Sequence, residues 1–265
     1  MKTIAITGSA SGIGGATARA LVDEGYRVIG VDVQAADIVA DLGTAEGRRA
    51  AVDAILERCD GRLDGLVPCA GLAGLPNRPG SLIASLNYFG SIALLEGLRE
   101  ALARAGSGEA AAIGICSNST TTMPGVPLEL VDACLSGDED AARAVADEVG
   151  SIRAYPATKM ALARWIRRHA PTGDWIGCGI NLNAIAPGKT ETAMIAEGRA
   201  DPVLGPHLDA FPVPAGRGAR PEEMASLIRF LLGPEARFFV GSVLFCDGGT
   251  DAAARPDDWP APLAG

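Results

Sequence analysis

The sequence predicts a doubly wound α/β fold, a parallel sheet with helices on both faces. Three observations carry that expectation. Short β-branched runs alternate with amphipathic helical patterns. A glycine-rich turn joins the first run to the first helix. Of the 265 residues 48% are hydrophobic, enough to bury one large core.

The elements follow in order. TIAIT, Thr3 to Thr7, is the first strand, and GGATARALVDEG is a helix stopped by Gly25, a residue free to turn left-handed. RVIGVD, Arg27 to Asp32, is the second strand, and DIVAD a shorter third. Thr44 is placed to cap the helix TAEGRRAAVDAILERC, and DGLVPCAG is a strand ending at Gly71. SLIASLNYFGSIALLEGLREALARAG reads as one long amphipathic helix, followed by the strand Ala110 to Ser117. A helix then surrounds Tyr155, IGCGINLNAIA is a strand, and Pro221 opens a helix with Glu222 and Glu223 in its first turn. SVLFCDGG is the last strand, making seven in a single domain over residues 1–265. The tail DAAARPDDWPAPLAG, rich in Pro and Ala, is expected to lie on the surface or fray.

Composition excludes several classes of function. A formal charge of −9 with scattered arginines argues against nucleic acid, whose phosphates demand a basic face. The six cysteines are widely spaced and only two histidines could join them, so no metal site and no disulfide framework is expected. Free thiols suit a reducing compartment. The N-terminal apolar run is too short for a signal peptide and no segment approaches a membrane span, so a cytoplasmic protein without a membrane partner is expected.

The turn TGSASGIG, Thr7 to Gly14, lies where a Rossmann-type fold brings backbone up to a pyrophosphate. Gly8 permits the tight turn, Gly12 the close approach and Gly14 the packing of helix on strand. Ser11, within the turn, is assigned to the same site. Asp32, at the end of the second strand, can accept both hydroxyls of an adenosine ribose. The same charge repels a 2′-phosphate, and no Lys or Arg in the turn or directly after Asp32 offsets it, which favours NAD over NADP. Capping of a turn is the structural alternative for Asp32. Asp41 and Leu42 suit contact with adenine, or form a plain turn.

Tyr155 precedes Lys159 by four residues, so on a helix the two share a face. An unperturbed tyrosine titrates near ~10, and a neighbouring ammonium favours its phenolate. The pair then fits an acid/base that takes the proton of a secondary alcohol, with the Ser117 hydroxyl orienting the substrate oxygen. The alternative is a tyrosine packed on the sheet and a solvated lysine. Pro156, which cannot donate within a helix, implies that Tyr155 lies in the first helical turn. Between Ser117 and Tyr155 an insertion, about 126–152, reads as two short helices, Pro127 to about Leu135 and Val149 back to an Asp138 cap, or as a flexible acidic loop. Residues 190–216 are long and proline-rich, as expected of a substrate lid. There Met194, Ile195, Leu204, Leu208 and Phe211 would contact a small hydrophobic alcohol or ketone, or pack the lid itself. His207 is read as a surface residue.

With the glycine turn, CAG, LNYFG, ICSNS, YPATK and NAIAPGKTET all in order, the chain resembles the short-chain dehydrogenase/reductase family over nearly its whole length. Within that family ADLGTAEGR, DGLVPCAGL, NYFG, LNAIAPGKTET and DGGTDAAARP resemble the bacterial 3α-hydroxysteroid dehydrogenase/carbonyl reductase group. The resemblance implies an NAD(H)-dependent oxidoreductase with Tyr155 as acid/base, Lys159 as its partner, Ser117 as binder of the substrate oxygen and Asn87 as fourth catalytic residue. It further implies that Gly8, Ile13, Asp32, Asp41, Leu42, Ala70, Gly71, Pro187, Gly188, Thr190 and Thr192 line the cofactor cleft, together with Tyr155 and Lys159. The insertion, by the same resemblance, covers the surface through which other members dimerise, leaving a homodimer through another face. Three residues depart from the family pattern: Cys69 stands where an asparagine is usual, Cys116 where a serine is common, and Pro156 directly follows Tyr155. The rival functions are a reductase of small ketones or 3-oxoacyl groups, and a sensor or scaffold that binds NAD without turnover. The latter would lack Ser, Tyr or Lys, and none is missing.

Overall fold

The computed structural model describes residues 1–106 and 108–259. Seven strands form one parallel sheet: β1 (Thr3–Thr7), β2 (Arg27–Asp32), β3 (Ile38–Val39), β4 (Gly65–Pro68), β5 (Ala110–Ile115), β6 (Ile180–Pro187) and β7 (Val243–Cys246), in the order β3-β2-β1-β4-β5-β6-β7. The chain runs outward from β1 to β3, then returns to lay β4 against the other side of β1. Connections leaving β1 and β4 therefore diverge, opening a crevice at their carboxyl ends.

Alternation along β1 explains the layering. Ala5 faces one core while Ile4 and Ile6 face the other, and all are buried. On the second face α1 (Gly12–Asp23) and α12 (Pro221–Leu232) cover the sheet with Leu21, Met224 and Ile228. On the first face lie α2 (Ala45–Arg58), then α3 (Gly80–Ile83), α4 (Ser91–Gly97) and α5 (Arg99–Ala103), with α7 (Leu128–Ser136), α8 (Glu139–Val149) and α9 (Ser151–His169). Short α6 (Ser119–Thr122) follows β5. Helices α10 (Ala193–Ala200), α11 (Leu204–Ala210) and α13 (Thr250–Ala254) lie toward the C-terminus. Among the described residues no helix is long and apolar enough to cross a membrane, and no cluster of His, Cys, Asp and Glu could hold a metal.

Two expectations change. The single helix expected from Ser81 is broken: residues Ala84–Gly90 between α3 and α4 are π-helical, and Leu98, at φ −104°, separates α4 from α5. Residues 83–91 are buried almost without interruption, so the apolar run alone reads as one helix. Helix α9 begins at Ser151, so Tyr155 lies just beyond its first turn. Gly150, at φ +78°, sets the start, and the Ser151 hydroxyl bonds the carbonyl of Leu75. Pro156 is thus inside the helix, and the carbonyl of Ile152 goes without its helical donor. The tail begins in α13 and, as expected, residues 252–259 lie at the surface; its last residues, 260–265, lie outside the described residues.

The insertion forms both expected helices. Asp138 caps α8 by accepting from the Ala141 amide at 3.0 Å, and Gly137, at φ +81°, ends α7. Arg48 of α2 grips Glu139 with two bonds, Nη1 to Oε2 at 2.9 Å and Nη2 to Oε1 at 2.6 Å. The Ser81 amide donates to Asp147, and Arg143 to the Ser85 hydroxyl. The insertion is thereby fixed to the helix that carries Asn87.

Candidate active site

The crevice holds a cleft of about 600 Å³, and every residue expected around the dinucleotide, from Gly8 to Thr192, lines it. Gly8 has φ +65°, and a Cβ there would stand 3.0 Å from the backbone of Ala70, so only glycine lets the two strand ends approach. Gly12, at φ +55°, opens α1. Ser11 does not cap α1 with its own side chain, which leaves the amides of the first turn to an anionic group.

Asp32 accepts from the Ala10 amide at 3.0 Å and the Val33 amide at 2.7 Å, tying the glycine turn to β2 while its residue lines the cleft. Asp41 lines the cleft and accepts from the Gly43 amide at 2.9 Å, the bond of a turn. Leu42 beside it is buried. Thr190 and Thr192 have partners within the chain, the Gly188 carbonyl for one and the Ile195 amide for the other.

Ser117, Tyr155 and Lys159 converge on one wall. Lys159 is buried, donates to the carbonyl of Ile115 at 2.8 Å, and stands 5.9 Å from the centre of the Tyr155 ring. Burial lowers the pKa of Lys159 from its ordinary value. Burial also pushes the Tyr155 phenol up, opposed by the Ser117 hydroxyl beside it. The direction is the reverse of that expected from the Lys159 charge, because burial is the largest influence on the phenol. The Ser119 amide donates to Ser117 Oγ at 3.2 Å, so the Ser117 proton is free to point at a substrate oxygen.

Asn87 is fully buried on the π-helical segment and outside the cleft lining. Its Oδ1 accepts from the Leu72 amide and its Nδ2 donates to the Leu72 carbonyl, both at 2.9 Å. The side chain pins the strand-end loop to the helix. A Cβ on Gly71 would meet Asn87 Oδ1 at 3.0 Å and Lys159 Nζ at 3.6 Å, so glycine there lets Asn87 and Lys159 share a corner.

Both unusual cysteines stand near Lys159. Burial raises the Cys69 thiol to about 11 and the Cys116 thiol to about 12, so both stay neutral. All six cysteines are free, and Cys178 is the exposed one. Sequence reasoning missed Leu72 and Ile115, which act through backbone atoms and leave no side-chain signal.

Beside the cleft a second cavity of about 250 Å³ is lined by Ser117 and Tyr155 and by Met194, Ile195, Leu204, Leu208 and Phe211. The apolar residues of 190–216 thus border the same cavity as the Tyr155 phenol. His207 is exposed at the rim of the same cavity.

A doubly wound sheet with a glycine turn at its crevice and Ser, Tyr and Lys on one wall is the architecture of a dehydrogenase. The chain belongs to the short-chain dehydrogenase/reductase family and is an oxidoreductase. The family profile described as short chain dehydrogenase matches residues 2–126, and one described as Enoyl-(Acyl carrier protein) reductase matches 139–251. The interval between them holds α7 of the insertion. The chain is 39% identical over 259 residues to the 3-alpha-hydroxysteroid dehydrogenase/carbonyl reductase of Comamonas testosteroni, covering 97% of this chain and 99% of that one. It is 32% identical to the cis-4-hydroxycyclohexanecarboxylate dehydrogenase of Sinomonas cyclohexanicum, covering 95% and 97%. The crystal structure of the 3-alpha-hydroxysteroid dehydrogenase from Pseudomonas sp. B-0831 complexed with NADH superposes with a TM-score of 0.91 at 46% identity, covering 97% of this chain and all of that one.

Proposed function

We propose that the protein is an NAD(H)-dependent dehydrogenase/carbonyl reductase that interconverts a bulky hydrophobic secondary alcohol, a hydroxysteroid in the first instance, and its ketone. The observation that carries this reading is the apolar cavity walled by Tyr155 and Ser117 and opening beside the glycine-lined cleft. The apolar wall favours a hydrophobic ring over an oxoacyl chain on an acidic carrier, and the intact Ser, Tyr and Lys favour turnover over sensing.

In this reading the α1 amides and Gly8, Gly12 and Gly14 receive the pyrophosphate, and Asp32 the adenosine ribose. Asp41 and Leu42 border the adenine, and Thr190 and Thr192 the nicotinamide end. NAD supplies the hydride acceptor of the oxidation, and NADH the donor of the reverse reaction. Ser117 donates to the substrate oxygen and fixes its distance from Tyr155. The Tyr155 phenolate removes the hydroxyl proton in oxidation, and the phenol returns it in reduction. Lys159 stabilises the phenolate, and Asn87 holds the loop at Leu72 in place. The chain is one dinucleotide-binding unit, with residues 190–216 as its substrate lid and 126–152 as its insertion. It pairs as a homodimer through the β7 edge, where Phe238 is wholly exposed and Phe230 partly so.

The test is NADH formation at 340 nm with NAD or NADP, 3α-hydroxysteroids and simple secondary alcohols. Turnover with NAD is expected, and Tyr155→Phe is expected to lower it at least a hundredfold, the scale of a lost acid/base. Equal turnover by Tyr155→Phe would remove Tyr155 from the chemistry. Binding of NAD without oxidation of any alcohol would favour the sensor.

A further inference from the structure

The motif DGGTDAAARP, Asp247 to Pro256, takes no part in the proton path, yet it forms a buried polar cluster behind Asn118, which lines the second cavity. Asp251 is 9% exposed and Asp247 8%. Arg255 clamps the Asp251 carboxylate, Nε to Oδ1 at 2.6 Å and Nη2 to Oδ2 at 3.1 Å, and the Thr121 hydroxyl donates to the same Oδ1. The Asp251 amide donates to Asp247 Oδ2 at 2.7 Å, and Asn118 Nδ2 approaches that oxygen at 3.4 Å.

Asn118 and Thr121 bracket Ser119, whose amide holds Ser117 Oγ. The Asn118 amide makes the last ladder bond to β6, donating to the Pro187 carbonyl at 3.0 Å, and beyond it side-chain bonds to the two carboxylates hold the loop. The same motif grips the end of the lid. The Ala215 amide donates to the Gly248 carbonyl at 3.0 Å, and the Thr250 hydroxyl lies 3.0 Å from the Pro212 carbonyl. A Cβ on Gly248 would come within 2.7 Å of Val213 Cγ1. Pro212 directly follows Phe211, which lines the far side of the cavity.

We propose that Asp251, clamped by Arg255, is a positioning residue that fixes Ser117 through Thr121 and Asn118 and, through its own helix, the lid end at Phe211. It sets the spacing between the hydroxyl that orients the substrate oxygen and the wall that holds the substrate's far side. Nothing in the cluster touches the reacting atoms. The inference rests on the reading of Ser117 given above.

The test compares Thr121→Val, Thr121→Ser and Asp251→Asn with the unchanged protein. Three quantities are read: kcat with a 3α-hydroxysteroid and with cyclohexanol, the dissociation constant for NADH by fluorescence, and hydrogen exchange by segment. Thr121→Val and Asp251→Asn are expected to lower kcat about tenfold or more, as misplacement near 1 Å does. NADH affinity stays within twofold. Exchange quickens in 117–123 and 212–216 and not in the central strands, and Thr121→Ser restores all three. Unchanged exchange in those segments overturns the proposal, as does kcat within twofold of the unchanged protein. Loss of NADH binding in proportion to kcat, with exchange raised throughout the sheet, reduces the cluster to general stability and also overturns it. If the unchanged protein oxidises neither probe, the reading of Ser117 fails, while the exchange data still decide whether Asp251 holds the two segments.

Discussion

Tyr155 titrates against the grain of its neighbour. Burial holds the phenol above its ordinary value even with an ammonium 5.9 Å from its ring. The sign of the pH dependence follows. Oxidation of an alcohol uses the phenolate, whose fraction grows as pH rises toward a pKa above about 10; reduction uses the phenol and is lost over the same range. Oxidation is therefore expected to climb through the alkaline region in a pH–rate profile while reduction declines. Ser117→Ala removes the hydroxyl that opposes the upward shift, so its alkaline limb is expected at higher pH. A limb that stays in place or moves down would mean that another group titrates. At this scale the side-chain chemistry was legible in the sequence, because the chain has only three tyrosines and three lysines, with Tyr155 and Lys159 at helical spacing, and Ser117, one of many serines, was marked by its place just after a strand. The direction of the Tyr155 shift was not, since it depends on burial. Nor was the grip of the Ile115 carbonyl on Lys159 or of Asn87 on Leu72, since any residue carries a backbone carbonyl and amide.

Helices α7 and α8 turn the insertion into a brace. Helix α7 packs on α9, which carries Tyr155 and Lys159, and α8 packs on α3 and the π-helical segment, which carries Asn87. The Arg48–Glu139 pair locks α8 to α2, with Arg48 8% and Glu139 26% exposed. Burial opposes ionisation of Glu139, yet the Arg48 and Ser85 bonds and the nearby Arg143 charge hold its carboxyl below the usual range. Glu139→Ala leaves a nearly buried guanidinium unpaired. It is expected to cost about 2 kcal/mol, less than a fully buried pair because Glu139 is partly solvated. Denaturant unfolding at neutral pH measures that loss. A depressed carboxylate contributes above its unfolded pKa near ~4.3 and loses that contribution as pH falls through the folded value. The difference between Glu139→Ala and the unchanged protein should therefore shrink in acid. A difference that persists at low pH would assign the cost to packing. The helices of the insertion were legible from Asp138 and Gly137, whose types suit a cap and a stop. The π-helical segment was not, because a run buried almost without interruption carries no period from which the wider turn could be read.

For the molecule as a whole, the strand count and the crevice followed from alternation and the glycine turn, whereas strand order depends on contacts between distant segments that no local pattern records. The free edge at β7 is a fact of that order. Phe238, in the segment leading into β7, stands wholly exposed, and Phe230 packs edge-on against Phe239. A dimer through this edge is expected to give light scattering at twice the 27.0 kDa chain mass, and Phe238→Asp is expected to lower it to that of one chain. A chain that is already monomeric, or a dimer indifferent to Phe238→Asp, would sink the interface. The cysteines, finally, give the folded chain a built-in gauge. Three of the six are buried, two are half-shielded, and only Cys178 is open to solvent. An alkylating reagent that counts sulfur atoms would read one promptly from the native protein and the others only as their surroundings come apart. Each strand end or helix that houses a thiol thereby reports its own opening, with no dye or label added to the chain.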